Sequence, residues 1–178
     1  SGVTNTTGHD NTSLGLCSLN ANTTGDHNVA IGVCALDSNT TAGCNVAVGR
    51  IALTTNTTGA NNTAIGASAL QQNTTASSNV AVGKSTLADN TTGANNTAVG
   101  CGSLLVNTTG ADNVAIGRNS LSANTTAAQN TAVGTEAVLK TTTGADNTGI
   151  GFIALCDNTT GTENTAVGAF ALRKNTTG

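Results

Sequence analysis

Residues 22–38 read NTTGDHNVAIGVCALDS, and residues 39–55 read NTTAGCNVAVGRIALTT. The two stretches share a polar opening, an Asn-Val-Ala core, a glycine and an Ala-Leu pair. The same sentence continues to the end of the chain in steps of 17 residues, without insertion or deletion. Its opening Asn falls at Asn5, Asn22, Asn39, Asn56, Asn73, Asn90, Asn107, Asn124, Asn158 and Asn175, with Thr141 in the missing place. A second Asn keeps the same step, from Asn11 and Asn28 to Asn164. With the opening Asn as position 1, the consensus is N-T-T-G/A-x-x-N-T/V-A-I/V-G-x-x-A-L-x-x. A register this strict marks stacked units, because a coil held between two identical neighbours tolerates length changes poorly.

The unit is too short for a two-helix repeat and shows no 3.6-residue apolar stripe. Positions 7–11 alternate instead. Positions 8 (Val29, Val46, Thr63, Val80) and 10 share one face, and the near-constant Ala of position 9 shares the other with Asn and Gly. That is a short strand rich in β-branched residues. Gly at position 11 permits a bend or a close backbone approach. The Ala-Leu pair predicts a second short strand with Leu buried, and N-T-T-G predicts the turn. One repeat is then one coil of a parallel β-solenoid, rising by ~4.8 Å and giving a rod on the order of 50 Å long. The expected core ladder is Ile31, Val48, Ile65, Val82, Val99, Ile116, Val133, Ile150 and Val167 at position 10. Leu36, Leu53, Leu70, Leu87, Leu104, Leu121, Leu155 and Leu172 at position 15 complete it.

Such a core is thin for the chain it must order. A face of small residues, Ala30, Ala47, Ala64 and Ala81 with their glycines, would let another chain approach closely. The expectation is an oligomer, most simply a homotrimer, of one repeat domain of about ten coils spanning residues 1–178.

Composition narrows the function. The 178 residues include 22 Gly, two Phe and no Pro, Met, Trp or Tyr. Charged residues make up 8% and the net charge is −3, with no basic run. Neither nucleic acid nor an anionic membrane is an expected partner. The longest apolar runs are too short to span a bilayer. No signal peptide is recognised at Ser1, so the expectation is a mature chain or a fragment. Both ends sit in the same repeat phase without a cap, which predicts a segment of something longer or a subunit whose ends stack on other copies into an end-to-end filament.

The strings NTAIGASAL (62–70), NVAIGVCAL (28–36) and NTAVGAFAL (164–172) resemble the head repeats of trimeric autotransporter adhesins. With the N-T-T-G turn included, the pattern is more similar still to repeats of phage tail-fibre-like proteins that often precede an intramolecular chaperone domain. The resemblance covers residues 5–178. It implies a trimeric, left-handed parallel β-roll serving as a stalk or adhesive head on a cell surface or virion. The adhesin-head repeat is generally shorter, and no membrane-anchor strand, coiled-coil stalk or chaperone domain accompanies the repeats.

No residues suggest an active site, and no cofactor or metal is expected. His9 and His27, beside Asp10 and Asp26, occupy different repeat positions and read as solvated turn residues. Cys17 and Cys34 share a position one coil apart, within disulfide range, although their parallel Cβ vectors suit the bond poorly. Cys44, Cys101 and Cys156 read as isolated small residues. Arg50, Lys84 and Arg118 recur every 34 residues and read as charges that keep a rod soluble. Every N-T-T is also a glycosylation sequon, so the opening Asn residues are either glycan sites or turn formers. The functional expectation is a structural or adhesive fibre segment, extracellular or on a surface, with itself and a host receptor or glycan as partners. The alternative is a solenoid that binds ice or glycan through its Thr and Asn ladders; scarce aromatics weaken the sugar version.

Overall fold

The computed structural model describes residues 4–177. The chain is an all-β parallel solenoid in which each coil contributes one three-residue strand. The strands are β1 (Thr12–Leu14), β2 (Val29–Ile31), β3 (Val46–Val48), β4 (Thr63–Ile65), β5 (Val80–Val82), β6 (Thr97–Val99), β7 (Val114–Ile116), β8 (Thr131–Val133), β9 (Thr148–Ile150) and β10 (Thr165–Val167). They pair in chain order into one ten-stranded parallel sheet. The register follows the repeat: Val29 lies beside Val46, Ala30 beside Ala47 and Ile31 beside Val48.

The two faces of the strand are the reverse of the expected ones. Ala30, Ala47, Ala64, Ala81, Ala98, Ala115 and Ala132 point inward and are fully buried. Positions 8 and 10 point outward. Ile31, Val48, Val82 and Val133 are only half-buried, and Ile65, Val99, Ile116 and Ile150 are between 36% and 41% exposed, while Val167 reaches 67%. The position-10 half of the expected core ladder is therefore a surface ladder, and the alanines are not available as a face for another chain. The reason is the narrow cross-section of a 17-residue coil. At Gly149, which takes the alanine position opposite Val138 instead of leucine, even a Cβ would meet Val138 Cγ2 at 2.4 Å and lie 3.3 Å from the Ala154 carbonyl oxygen. The lumen opposite the leucine accepts a methyl group and little more.

Leucine holds the other side. Leu36, Leu53, Leu70, Leu87, Leu104, Leu121 and Leu155 are fully buried, whereas Leu172, on the last described coil, is exposed. The expected second strand does not form. Leucine sits in a turn with left-handed backbone, φ 52° at Leu36 and 53° at Leu87, and position 13 does the same, φ 55° at Cys34. A side chain there costs about 1–2 kcal/mol of local strain, offset by full burial of the leucine. This run is still hydrogen-bonded to its neighbours: the Cys34 N–H donates to Leu16 O (2.8 Å) and the Leu36 N–H to Ala52 O (3.0 Å). Strands account for three residues per coil, yet backbone donors all around the coil find partners above or below.

Two columns of buried asparagine, with the small buried residue of position 14 (Ala35, Ala52, Thr86, Ser103), fill the rest of the lumen. At position 1, Asn39 Nδ2 donates to Asn22 Oδ1 in the previous coil (2.9 Å) and to its own turn at Ala42 O (2.9 Å). At position 7, the Asn45 N–H donates to Asn28 Oδ1 (3.0 Å), while Asn28 Nδ2 donates to Ala42 O (2.9 Å). A buried primary amide is costly unless its donors and acceptor are engaged, and the repeat engages them by translation alone. Gly32 completes the coil with φ 132°; a Cβ there would lie 2.5 Å from the carbonyl oxygen of Gly49, stacked on it. No side chain fits that column between stacked coils.

Candidate functional site

The outward face of the sheet is a regular surface of the molecule. Alternation carries positions 8, 10 and 12 outward around each strand. Position 10 is aliphatic in all ten coils, from Leu14 through Ile65 and Val99 to Val167. Position 8 takes Val or Thr throughout. Position 12 is mixed, with Leu16, Val33 and Phe152 exposed beside Arg50, Lys84 and Arg118. Ten strands at ~4.8 Å spacing make this column about 43 Å long. A strip one three-residue strand wide, about 10 Å, then covers roughly 430 Å², within the range of the largest apolar patch on a soluble monomer. The cationic row runs along its edge, where Arg118 Nη2 donates to Glu136 Oε1 at 2.9 Å.

The opening asparagines are structural. Asn22, Asn39, Asn56, Asn73, Asn90, Asn107, Asn124 and Asn158 are fully buried. Their Nδ2 atoms, where a glycan would be joined, donate inside the ladder, as Asn73 Nδ2 does to Asn56 Oδ1 (2.9 Å) and Ala76 O (2.9 Å). The glycan reading is corrected for these residues. Asn5 is exposed and Asn175 half-buried, at the outermost described coils; of the remaining sequons, Asn61 and Asn95 are exposed and Asn11 is half-buried. The threonines of the turn divide into two roles. Position 2 spends its hydroxyl on the next coil, with Thr23 Oγ1 donating to Thr40 O (3.0 Å), and position 3 (Thr24, Thr41, Thr58) remains exposed. A ligand would meet a single threonine column, and the asparagine ladders lie out of its reach.

Cys17 and Cys34 stand one above the other as free thiols, half-buried, and the other three cysteines are free as well. Burial and the neighbouring Cys17 push the Cys34 thiol above its ordinary pKa of 9.0, away from a reactive thiolate. No cavity indents the described residues.

Their different repeat positions set His9 and His27 apart in the sequence, yet they meet. Positions 5 and 6 read His9-Asp10 in one coil and Asp26-His27 in the next. Stacking sets His9 over Asp26 and Asp10 over His27, a two-by-two array of alternating imidazole and carboxylate. His9 Nδ1 lies 2.9 Å from Asp10 Oδ2, His9 Nε2 lies 3.4 Å from Asp26 Oδ2, and His27 Nε2 lies 3.5 Å from Asp10 Oδ2. The hydrogen bond to Asp10, then the charge of Asp26, hold the His9 pKa above the ordinary 6.5. The sign of this array was present in the sequence as the inversion of HD into DH at a 17-residue step.

Comparison of the chain with protein-family models, with curated proteins and with solved structures found no match.

Proposed function

We propose that this chain is a rigid, repetitive rod that associates with copies of itself through the outward face of its sheet, most simply as a homotrimer, and serves as a structural or adhesive fibre segment outside the cell, on a cell surface or on a virion. The single observation that carries this reading is the aliphatic column at position 10. Ten consecutive coils keep Leu, Ile or Val where burial in the lone chain does not require it. Water gains nothing from that choice, whereas a second copy of the same flat, periodic strip matches it coil for coil. Two strips in contact would bury on the order of 900 Å², short of a standard stable interface, so the flanking side chains of positions 8 and 12 must join the contact to complete it. The case for association thus rests on the exposed sheet face, since the lumen itself is filled. Catalysis has no place in this reading. A receptor or glycan would be met by the remaining sides and the loops at positions 3, 5 and 6.

Sedimentation equilibrium at micromolar concentration tests it. The expected species has the mass of three 17.3 kDa chains, and Ile65→Lys with Val99→Lys should give a folded monomer, because lysine at an outward position opposes pairing without entering the lumen. A folded wild-type monomer at that concentration refutes the proposal.

A further inference from the structure

We propose that the outer edge of the first two coils is a binding site for one divalent transition-metal ion of the zinc class, held by His9, Asp10 and His27, with Asp26 behind them. The three residues each present a donor atom, and these atoms lie within 4.8 Å of one another. Tetrahedral zinc with bonds of 2.0–2.1 Å needs ligand atoms about 3.3 Å apart. The spacing from Asp10 Oδ2 to His27 Nε2 is 3.5 Å, and that to His9 Nδ1 is 2.9 Å, so small side-chain rotations complete the set. The two rings meet edge to face at 83° with centroids 5.5 Å apart, converging on the shared carboxylate.

Asp26 supplies what a metal-bound histidine usually has, a carboxylate on its other nitrogen. Its Oδ2 lies 3.4 Å from His9 Nε2, and its Oδ1 is fixed by accepting from the His9 backbone N–H at 2.8 Å. With His9 binding through Nδ1, Nε2–H would point at Asp26, which selects the required tautomer. The backbone at Asp10 and His27 is held in the left-handed region, φ 56° and 58°, by the coils themselves. All three ligands are exposed, so the fourth position belongs to water. Two nitrogens and one carboxylate oxygen suit zinc, copper(II) or nickel and not calcium or magnesium. Because the ligands come from two coils, the ion would clamp β1, which has one strand neighbour among the described residues, onto β2.

Calorimetric titration of the whole chain with zinc chloride near neutral pH tests this, with cobalt(II) absorption reporting the ligand type. The expected result is one saturable ion per chain, a cobalt spectrum without thiolate charge transfer, and added hydrogen-exchange protection of the β1 amides. His9→Gln and His27→Gln should each weaken binding at least tenfold, Asp26→Asn should weaken it roughly tenfold at unchanged stoichiometry, and Cys17→Ser with Cys34→Ser should leave it unchanged. Circular dichroism checks that each variant keeps its sheet. Absence of saturable binding, survival of binding in folded His9→Gln/His27→Gln, or loss in the serine variant overturns the proposal.

Discussion

Two stretches of the same ladder behave differently. From the coil of Asn22 to that of Leu121, position 1 is always Asn, position 9 always Ala and position 15 always Leu. Between residues 138 and 149 all three change: Val138 replaces Leu, Thr141 replaces Asn and Gly149 replaces Ala. Two of these changes answer each other. A Cβ on Gly149 would lie 2.4 Å from Val138 Cγ2, so the β-branched side chain, with a methyl pushed across the lumen, requires its neighbour to have none. The third change is answered on one side only. Thr141 Oγ1 donates to Asn158 O (3.1 Å) and accepts from Asn158 Nδ2 (3.2 Å), which serves the following coil. The preceding coil loses a donor, and the buried Asn124 Oδ1 has no hydrogen-bond partner among the described residues. The lumen thus accepts variation when the adjacent coil makes the complementary change, and otherwise keeps an unsatisfied atom.

The largest break in this pattern should come from the regular stretch. Leu70→Ala empties a site walled by Leu53 and Leu87, and should cost about 2–5 kcal/mol, a fall in melting temperature on the order of 10 °C for a chain of this size. Val138→Ala removes less volume and should cost clearly less. Equal losses at the two positions would mean that the leucine ladder has no special packing role. Next in size is the coupled pair. Gly149→Ala alone drives a methyl into Val138 and should destabilise by about 1–3 kcal/mol. Adding Val138→Leu restores the regular pair and should return most of that loss. Strict additivity in this double-mutant cycle would show that the two sites do not compensate each other.

The coupling explains which parts of the molecule were legible beforehand. The step of 17, the strand at positions 8–10 and the buried leucine all follow from periodicity and alternation. Which face turns inward does not follow from hydrophobicity, because lumen width decides it. The usable signal lay in the tolerance of each column. Position 8 accepts Val or Thr, as Val46 and Thr63 do, which suits a surface, whereas position 9 is held to Ala from Ala30 to Ala132. The asparagines hide their role for a related reason: Asn in N-T-T reads as a polar turn former, and only the 17-residue stack shows that Asn39 and Asn22 satisfy each other. The left-handed leucines had no sequence signal, since leucine is disfavoured there and only tertiary burial overrides that preference. The histidine–aspartate array was visible as letters, but positions 5 and 6 of adjacent coils had to be read as neighbours.

A smaller effect, of opposite sign, should sharpen the comparison. Thr141→Asn continues the amide ladder and gives Asn124 Oδ1 its missing donor. Satisfying a buried acceptor should stabilise the fold by about 1 kcal/mol, raising the melting temperature by a few degrees. The same substitution lets Asn158 Nδ2 meet an amide oxygen again. A neutral or destabilising result would show that coils eight and nine are spaced for threonine, and that the break is a fitted one.

The smallest effect lies on the surface of the same stretch, where Lys140 Nζ and Asp157 Oδ1 of adjacent coils meet at 2.7 Å. The hydrogen bond from Lys140 holds the Asp157 carboxyl below its ordinary 3.8, and the same bond raises the Lys140 ammonium above its ordinary 10.5. The signs fix the window. A carboxyl whose folded pKa is lowered contributes stability above pH 3.8 and loses it as the pH falls through the folded value. A raised ammonium contributes below pH 10.5 and loses it as the pH rises through its folded value. Between those limits Asp157→Asn should melt slightly below the wild type. The gap should close in strong acid, and it should narrow in high salt because the pair is open to solvent. A gap that persists in strong acid would show that Asp157 acts through the turn backbone rather than through its charge. This stretch would then differ from the regular coils only in its lumen, with no electrostatic clamp outside to compensate for the atom left unsatisfied within.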